Sequence, residues 1–299
     1  MVQRRNDMIY DAIIVGRGPA GLSCSIYTVR GNLKTLVIGK KDSMLLKADK
    51  IENYYGFEYP VSGKELLETG EKQAQRLGAE VVEDEVVSID KTDVFEVVCV
   101  NGRYRAKTVL LATGAPVVKA PVKNLERFEG SGVSYCTTCD GFFYRNKKAG
   151  VLGYTDFAVH EAMELMAFTG DITLYTNGMP LKISDSHRDS LSRLKISDKK
   201  IKELDGQDKI EWIVFEDGSR DSVDGLFVAY GSASSASFAL RMGIAMEGKS
   251  IKVNDKMETN IPGLFAAGDC TGVFKQVSVA VGQGAIASRQ MIEFVRKMK

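Results

Sequence analysis

Apolar residues along this chain fall in short runs separated by glycine turns and amphipathic stretches, the rhythm of alternating strands and helices. Residues 10–15 form an apolar run, Gly16-Arg17-Gly18-Pro19-Ala20-Gly21 follows, a helical stretch spans 22–30, and a second apolar run spans 33–38. Strand, glycine turn, helix and strand in this order make a βαβ unit. The same order returns with an apolar run at 149–152, then Gly153-Tyr154-Thr155-Asp156-Phe157-Ala158, a helix over 159–168 and a strand over 172–175. Two such openings predict an α/β protein with two Rossmann-like, nucleotide-binding-type domains, the second opening a decayed copy of the first.

Two β-rich excursions interrupt the pattern. Residues 89–100 read as a hairpin strand ending at Asn101-Gly102, and 210–224 carry a turn at Asp217-Gly218. Each is expected to insert a small sheet into its domain. Crossings between domains are expected at 115–121, which holds two prolines, and at 241–248. The first domain is then discontinuous, 1–116 with 245–299, around a second domain of 117–244. The two crossings are expected to act as hinges.

With 299 residues the chain is long enough for two ordinary domains, and 44% apolar with 26% charged residues is a globular profile. A net charge of +1 points to neither nucleic acid nor membrane. No run is long enough to cross a membrane, and the glycine turn cuts short the apolar stretch near the start, so a cytoplasmic protein without a secretory signal is expected. There are five cysteines, Cys24, Cys99, Cys136, Cys139 and Cys270, and two histidines, His160 and His187. An odd cysteine count without a secretion signal argues against a disulfide framework, and no Cys/His cluster stands at metal-ligand spacing, so no metal is expected. Cys24, Cys99 and Cys270 read as small core residues, with Cys270 singled out because it follows Asp269.

Two motifs carry chemistry. Gly16, Gly18 and Gly21 stand at G-x-G-x-x-G spacing between a strand and a helix. Gly16 permits the tight turn, Gly18 lets the backbone approach a pyrophosphate, and Gly21 lets the helix pack on the strand. The helix N-terminus offers free N–H groups to the phosphates. The acidic residue expected about 20 residues on, which would hold a ribose, is missing, because the second strand ends at Ile38-Gly39-Lys40. The second motif is Cys136-Thr137-Thr138-Cys139. This spacing brings two sulfurs within bonding reach on a short turn, and a helix start there favours thiolate. A bare Cys-x-x-Cys also serves as half a metal site, but no second pair exists.

Beyond these motifs, residues 110–114 form a buried strand ending in Thr113-Gly114, and 261–269 end in Gly268-Asp269. With these segments, and with the tract Ser134-Tyr135-Cys136-Thr137-Thr138-Cys139-Asp140-Gly141-Phe142-Phe143-Tyr144, the chain resembles the low-molecular-weight thioredoxin reductases over nearly its whole length. The resemblance implies FAD as cofactor, thioredoxin as partner and a homodimer. It makes the discontinuous domain the FAD-binding one and the other a redox-dithiol domain with a degenerate NAD(P)-binding fold. It implies that FAD is held by Gly16, Gly18, Pro19, Ala20, Gly21, Gly39, Asn53, Thr113, Gly114, Gly268, Asp269, Lys275, Gln276 and Val277. It also implies that Cys139 faces the flavin, Cys136 attacks the substrate disulfide and Asp140 moves the protons. The stretch Asp42-Ser43-Met44 departs from the family's Gly-Gly-Gln.

The nicotinamide signals are missing. In Gly153-Tyr154-Thr155-Asp156-Phe157-Ala158, a β-branched Thr155 replaces the middle glycine, and Tyr175-Thr176-Asn177-Gly178-Met179 lacks the arginines that would clamp a 2′-phosphate. This combination resembles the ferredoxin-dependent flavin thioredoxin reductases, which implies reduced ferredoxin as donor. A drop from about −400 to about −270 mV, roughly 6 kcal/mol for two electrons, would drive the transfer. An acidic ferredoxin would meet a basic face: Arg145, Lys147 and Lys148; or Arg193, Lys195, Lys199, Lys200 and Lys202; or Arg296, Lys297 and Lys299. Alternatives are an NADPH-dependent enzyme with unusual contacts, a flavin-dependent dithiol oxidase using oxygen, and a flavin-bound sensor that catalyses nothing.

Overall fold

The structure is a computed structural model and describes residues 8–115, 120–272 and 274–298. The crossing expected at 115–121 therefore lies partly outside the described residues, as does Lys299. The chain forms two compact units, 1–116 with 234–299, and 117–233.

The first unit runs β1 (Ile9–Val15), α1 (Pro19–Arg30), β2 (Thr35–Gly39), α2 (Gly63–Arg76), β3 (Glu80–Glu83), β4 (Val86–Lys91), β5 (Phe95–Cys99) and β6 (Arg103–Leu111). Strand β1 is the centre. It pairs in parallel with β2 from Ala12–Thr35 to Val15–Ile38, and with β6 from Ile9–Arg105 to Val15–Leu111. Ile13, Ile14, Leu36, Val37, Ile38, Val109, Leu110 and Leu111 are all fully buried. Such continuous apolar runs are what a parallel sheet covered on both faces requires.

The expected strand over 89–100 is in fact two, β4 and β5, with a turn between them. They do not form a separate small sheet. Strand β5 pairs antiparallel with the first half of β6, at Arg103–Ala106, and so extends the main sheet.

In the second unit come β7 (Val133–Ser134), α3 (Thr137–Asp140), β8 (Ala149–Leu152), α4 (Asp156–Leu165), β9 (Ile172–Tyr175), α5 (Arg188–Leu191), β10 (Lys195–Ser197), β11 (Ile201–Asp205), β12 (Trp212–Phe215), β13 (Arg220–Ser222) and β14 (Gly225–Val228). Its parallel sheet has the order β10-β9-β8-β14-β7. Here the β excursion does form its own sheet, β11-β12-β13.

The chain then returns to the first unit with α6 (Ser235–Met242), the hairpin β15 (Met246–Glu247) and β16 (Ser250–Ile251), β17 (Leu264–Ala266) and α7 (Val277–Lys297). Strand β17 takes the free end of β6, pairing Leu264–Val109 through Ala266–Leu111. The parallel order β3-β2-β1-β6-β17 repeats that of the second unit. The crossing expected at 241–248 falls between 233 and 234 instead. The reason is α6: Arg241 holds Asp90 of β4 at 3.1 Å, and the helix packs on β16 as well, so it belongs to the first unit.

Candidate functional site

The first glycine turn is built as its spacing predicts. Gly16 has φ +123, and a Cβ there would stand 2.1 Å from the carbonyl oxygen of Ala112. A Cβ at Gly21 would meet the carbonyl of Gly16, so helix and strand touch there. Gly18 differs: nothing lies within 4 Å of its Cβ position, and it is the N-cap of α1 with no side chain capping the helix. The first N–H groups of α1 thus face open space lined by glycine, which is the cradle a pyrophosphate needs.

Contacts within the unit draw the other expected residues around this turn. A Cβ at Gly39 would press on Gly16 and Arg17, and one at Gly268 would meet Ala20. Asn53 donates to the Gln276 side chain at 2.8 Å, and Gln276 is the N-cap of α7, again without a side-chain cap. Thr113 Oγ1 is buried and has no hydrogen-bond partner, an orphan polar atom beside the turn. A polar, diphosphate-bearing cofactor fits all three features: two uncapped helix starts, an open glycine and an unsatisfied hydroxyl. Lys275 is exposed, and Asp269 is half-buried in the turn before α7.

Where the missing acidic residue would stand, the structure has Arg17. Its side chain is buried, donates to the carbonyl of Gly39 and pairs with Glu71 of α2. The pair is not legible in the sequence, because nothing local couples a turn residue to a helix more than fifty positions away.

Cys136 and Cys139 form a disulfide. Cys136 is the N-cap of α3, its sulfur accepting the N–H of Cys139 at 3.1 Å. The two cysteines are unequal: Cys136 is buried and Cys139 exposed. Asp140 is gripped by Ser134, whose hydroxyl donates to Oδ2 at 2.7 Å and accepts the N–H of Cys136 at 3.1 Å. Ser134 therefore links the expected acid/base to the backbone of the first cysteine. Phe142 and Phe143 next to this tract are both exposed. The other three cysteines are free, buried thiols. Burial pushes Cys24 and Cys99 up, and Cys270 up to about 12; Cys270 donates to the carbonyls of Leu111 and Ala267, as a core residue would.

The second glycine turn follows the same strand–turn–helix plan, without a positive φ at Gly153, and has a different content. Thr155 is the N-cap of α4, but its hydroxyl turns away from the helix to the carbonyl of Gly231. The space above the helix start is occupied by the chain itself. Lys182 donates its N–H to the carbonyl of Tyr154 at 2.8 Å. Asp156, the first residue of α4, accepts the N–H and hydroxyl of Ser184 at 3.0 and 2.9 Å and holds His187 Nδ1 at 2.8 Å. A protein carboxylate thus occupies the positive end of α4 where a nucleotide phosphate would bind. After β9, Thr176 and Asn177 are buried, and Asn177 accepts the N–H of Ile201 at 2.7 Å. These positions serve the fold of the unit.

The basic clusters separate on pairing. Lys195 holds Asp171, Lys199 holds Asp217 and Lys200 holds Glu216. Arg145 and Lys147 instead lie over the rings of Phe142 and Tyr144, and Lys148 meets Ser222.

Comparison with known proteins places these features in a lineage. The pyridine nucleotide-disulphide oxidoreductase family model matches residues 10–284. Thioredoxin reductase of Aquifex aeolicus is 34% identical, with 100% of this chain and 97% of that protein covered. Thioredoxin reductase of Bacillus subtilis is 32% identical over 98% of this chain and 97% of that protein. Among solved structures, an atypical thioredoxin reductase from Desulfovibrio vulgaris Hildenborough superposes with a TM-score of 0.93 at 39% identity, covering 96% of this chain and 98% of that one. A ferredoxin-flavin thioredoxin reductase from Clostridium acetobutylicum gives 0.73 at 32% identity, covering 96% and 98%.

Proposed function

The chain belongs to the pyridine nucleotide-disulphide oxidoreductase family, among its FAD-dependent thioredoxin reductases, and from that premise we propose that reduced ferredoxin, rather than NADPH, is its electron donor. The observation that carries this reading is the start of α4. Asp156, Ser184, His187 and Lys182 fill with protein what the first unit leaves open at Gly18. A dinucleotide would have to displace that segment and bring its phosphates against the Asp156 carboxylate. Likeness to the ferredoxin-flavin thioredoxin reductase supports the same reading.

The residues divide the work as follows. The N-termini of α1 and α7, with Gly18, Thr113, Gly114, Gly268 and Asp269, hold the FAD. When bound, that group supplies the exchange between single electrons and electron pairs. Cys139, the exposed cysteine, would exchange electrons with the bound group, and Cys136 would attack the thioredoxin disulfide. Ser134 holds the Asp140 carboxylate in place for the protons that each thiol–disulfide step takes up or releases. Phe142, Phe143, Arg145, Lys147 and Lys148 form the docking face, because the two aromatic rings are exposed and the side chains of the three cations meet rings and a serine hydroxyl where those of the 193–202 cluster meet carboxylates. The enzyme works in the cytoplasm as a homodimer.

Binding tests this directly. NADPH at millimolar concentration is expected to leave the melting temperature of the FAD-loaded protein unchanged, since a ligand at 100 times its Kd would stabilise by about 2.7 kcal/mol. A clear upward shift with NADPH would sink the proposal and restore the NADPH-dependent alternative.

A further inference from the structure

Beneath the dithiol lies a buried carboxylate that no step of the proposed reaction uses. Helix α4 buries Phe157, Ala158, Ala162 and Leu165 along one side, and Glu161 sits on that same side, 7% exposed. Its Oε2 accepts twice from one residue, the main-chain N–H of Thr137 at 3.2 Å and the Thr137 hydroxyl at 2.5 Å. Thr137 follows Cys136 and is the first residue of α3. One position on, the hydroxyl of Thr138 donates to Glu164 Oε2 at 3.1 Å, and His160 Nε2 lies 3.4 Å from the other Glu164 oxygen. Each of the two residues between the cysteines is therefore held by a carboxylate.

The placement of Glu161 is costly. Burial pushes its carboxyl up, the bond from the Thr137 hydroxyl opposes this, the Glu164 charge adds to the rise, and His160 and the Thr137 N–H oppose it. Glutamine at this position would accept the same two bonds without the desolvation cost. What glutamine would not supply is negative charge against the first turn of the dithiol helix. The N–H of Thr137 is also one of the groups that would otherwise stabilise a thiolate on Cys136.

We propose that Glu161 is a positioning residue that sets the redox poise of the Cys136–Cys139 pair. In its ionised form, which the two hydrogen bonds from Thr137 favour against burial, its charge opposes the thiolate formed when the disulfide opens, so the pair holds its electrons less tightly and passes them on more readily to another disulfide. The facing groups are Thr137 from α3 and Glu164 and His160 from its own helix. The inference rests on the reading of Cys136 and Cys139 as the working dithiol.

The test is an equilibrium with dithiothreitol. In that exchange the Cys136–Cys139 bond breaks, two electrons and two protons pass to its sulfurs, and dithiothreitol closes to its own disulfide. The FAD-loaded full chain is equilibrated with graded ratios of reduced to oxidised dithiothreitol at a pH of about 8.5, where thiolate is populated. It is then quenched, alkylated and weighed by mass spectrometry. For Glu161→Gln, the ratio that opens half the disulfide should fall severalfold, toward about tenfold for one unit of thiol pKa. An unchanged ratio in a folded Glu161→Gln protein overturns the proposal, since a merely structural contact survives in glutamine. Should that variant not fold, Glu161→Asp keeps the charge but withdraws it by one methylene. Its ratio should fall by a smaller factor, and no fall overturns the proposal equally. If no ratio opens the wild-type disulfide, the dithiol reading itself fails, and the premise about Glu161 fails with it.

Discussion

Cys136 and Cys139 stand at opposite ends of one helical turn and differ in almost everything except their bond. Cys136 is buried and caps the turn; Cys139 is exposed. If Cys139 is the sulfur that meets the flavin, Cys136→Ser should leave a thiolate there and give long-wavelength absorption, and Cys139→Ser should abolish it. Reversed spectra would reverse the assignment. The remaining thiols are core groups, so a thiol reagent at neutral pH should find no free cysteine in the native oxidised protein and three after unfolding. A native Cys270 that reacts would contradict its burial and its raised pKa. At this scale the sequence displays what is local. Glycine spacing and Cys-x-x-Cys are legible because each acts through its neighbours. Glu161 and Arg17 are illegible because their partners are assembled by the fold. Glu161 did carry one signal, a carboxylate on the apolar stripe of α4, a position that a residue of its kind rarely takes without a partner.

Helices α1 and α4 follow the same strand–turn–helix plan and differ at their first turn. One begins at an open glycine, and the other begins under a segment of its own chain. Replacing Thr155 with Gly should therefore not create a nucleotide site, because Asp156 still holds Ser184 and His187 above it. Asp156→Ala, which leaves those donors without their acceptor, should cost about 1–3 kcal/mol in denaturant unfolding. A variant as stable as wild type would show that the segment is held by other means. Elements with an apolar rhythm were readable, including β1, β8, β9 and the strand openings of both units. Helix α2 was not read, because its exposed face is polar and only Gly63 and Ala74 are buried. Its start was nevertheless written in the chain: Ser62 accepts the N–H of Glu65 at 3.1 Å, the serine-to-glutamate spacing of an N-cap. The hairpin β4–β5 was read as one strand because its turn, 92–94, contains Val94 and so barely breaks the apolar run.

Over the whole molecule, charge is nearly balanced, with 40 lysines and arginines against 39 aspartates and glutamates. Attraction of an acidic donor must therefore come from local clustering. Many lysines of the 193–202 cluster are already neutralised by carboxylates, which leaves Arg145, Lys147 and Lys148 as the better face. Reversing the charge at Lys147 and Lys148 together should slow ferredoxin about tenfold or more at low salt and leave a small neutral reductant unaffected. Equal slowing of both would mean that the lysines matter for folding or flavin binding. The discontinuous plan was expected from the two crossings, while the second boundary was not legible at 233–234, since α6 declares its side only through contacts with β4 and β16 that the fold assembles. The most direct test of the account is anaerobic stopped-flow mixing of the FAD-loaded chain with its disulfide intact. Reduced ferredoxin should bleach the flavin, in single-electron steps that slow as salt rises, and thioredoxin should then be reduced; millimolar NADPH should leave the spectrum unchanged on the same timescale. Rapid bleaching by NADPH, or none by ferredoxin at any ionic strength, would contradict it.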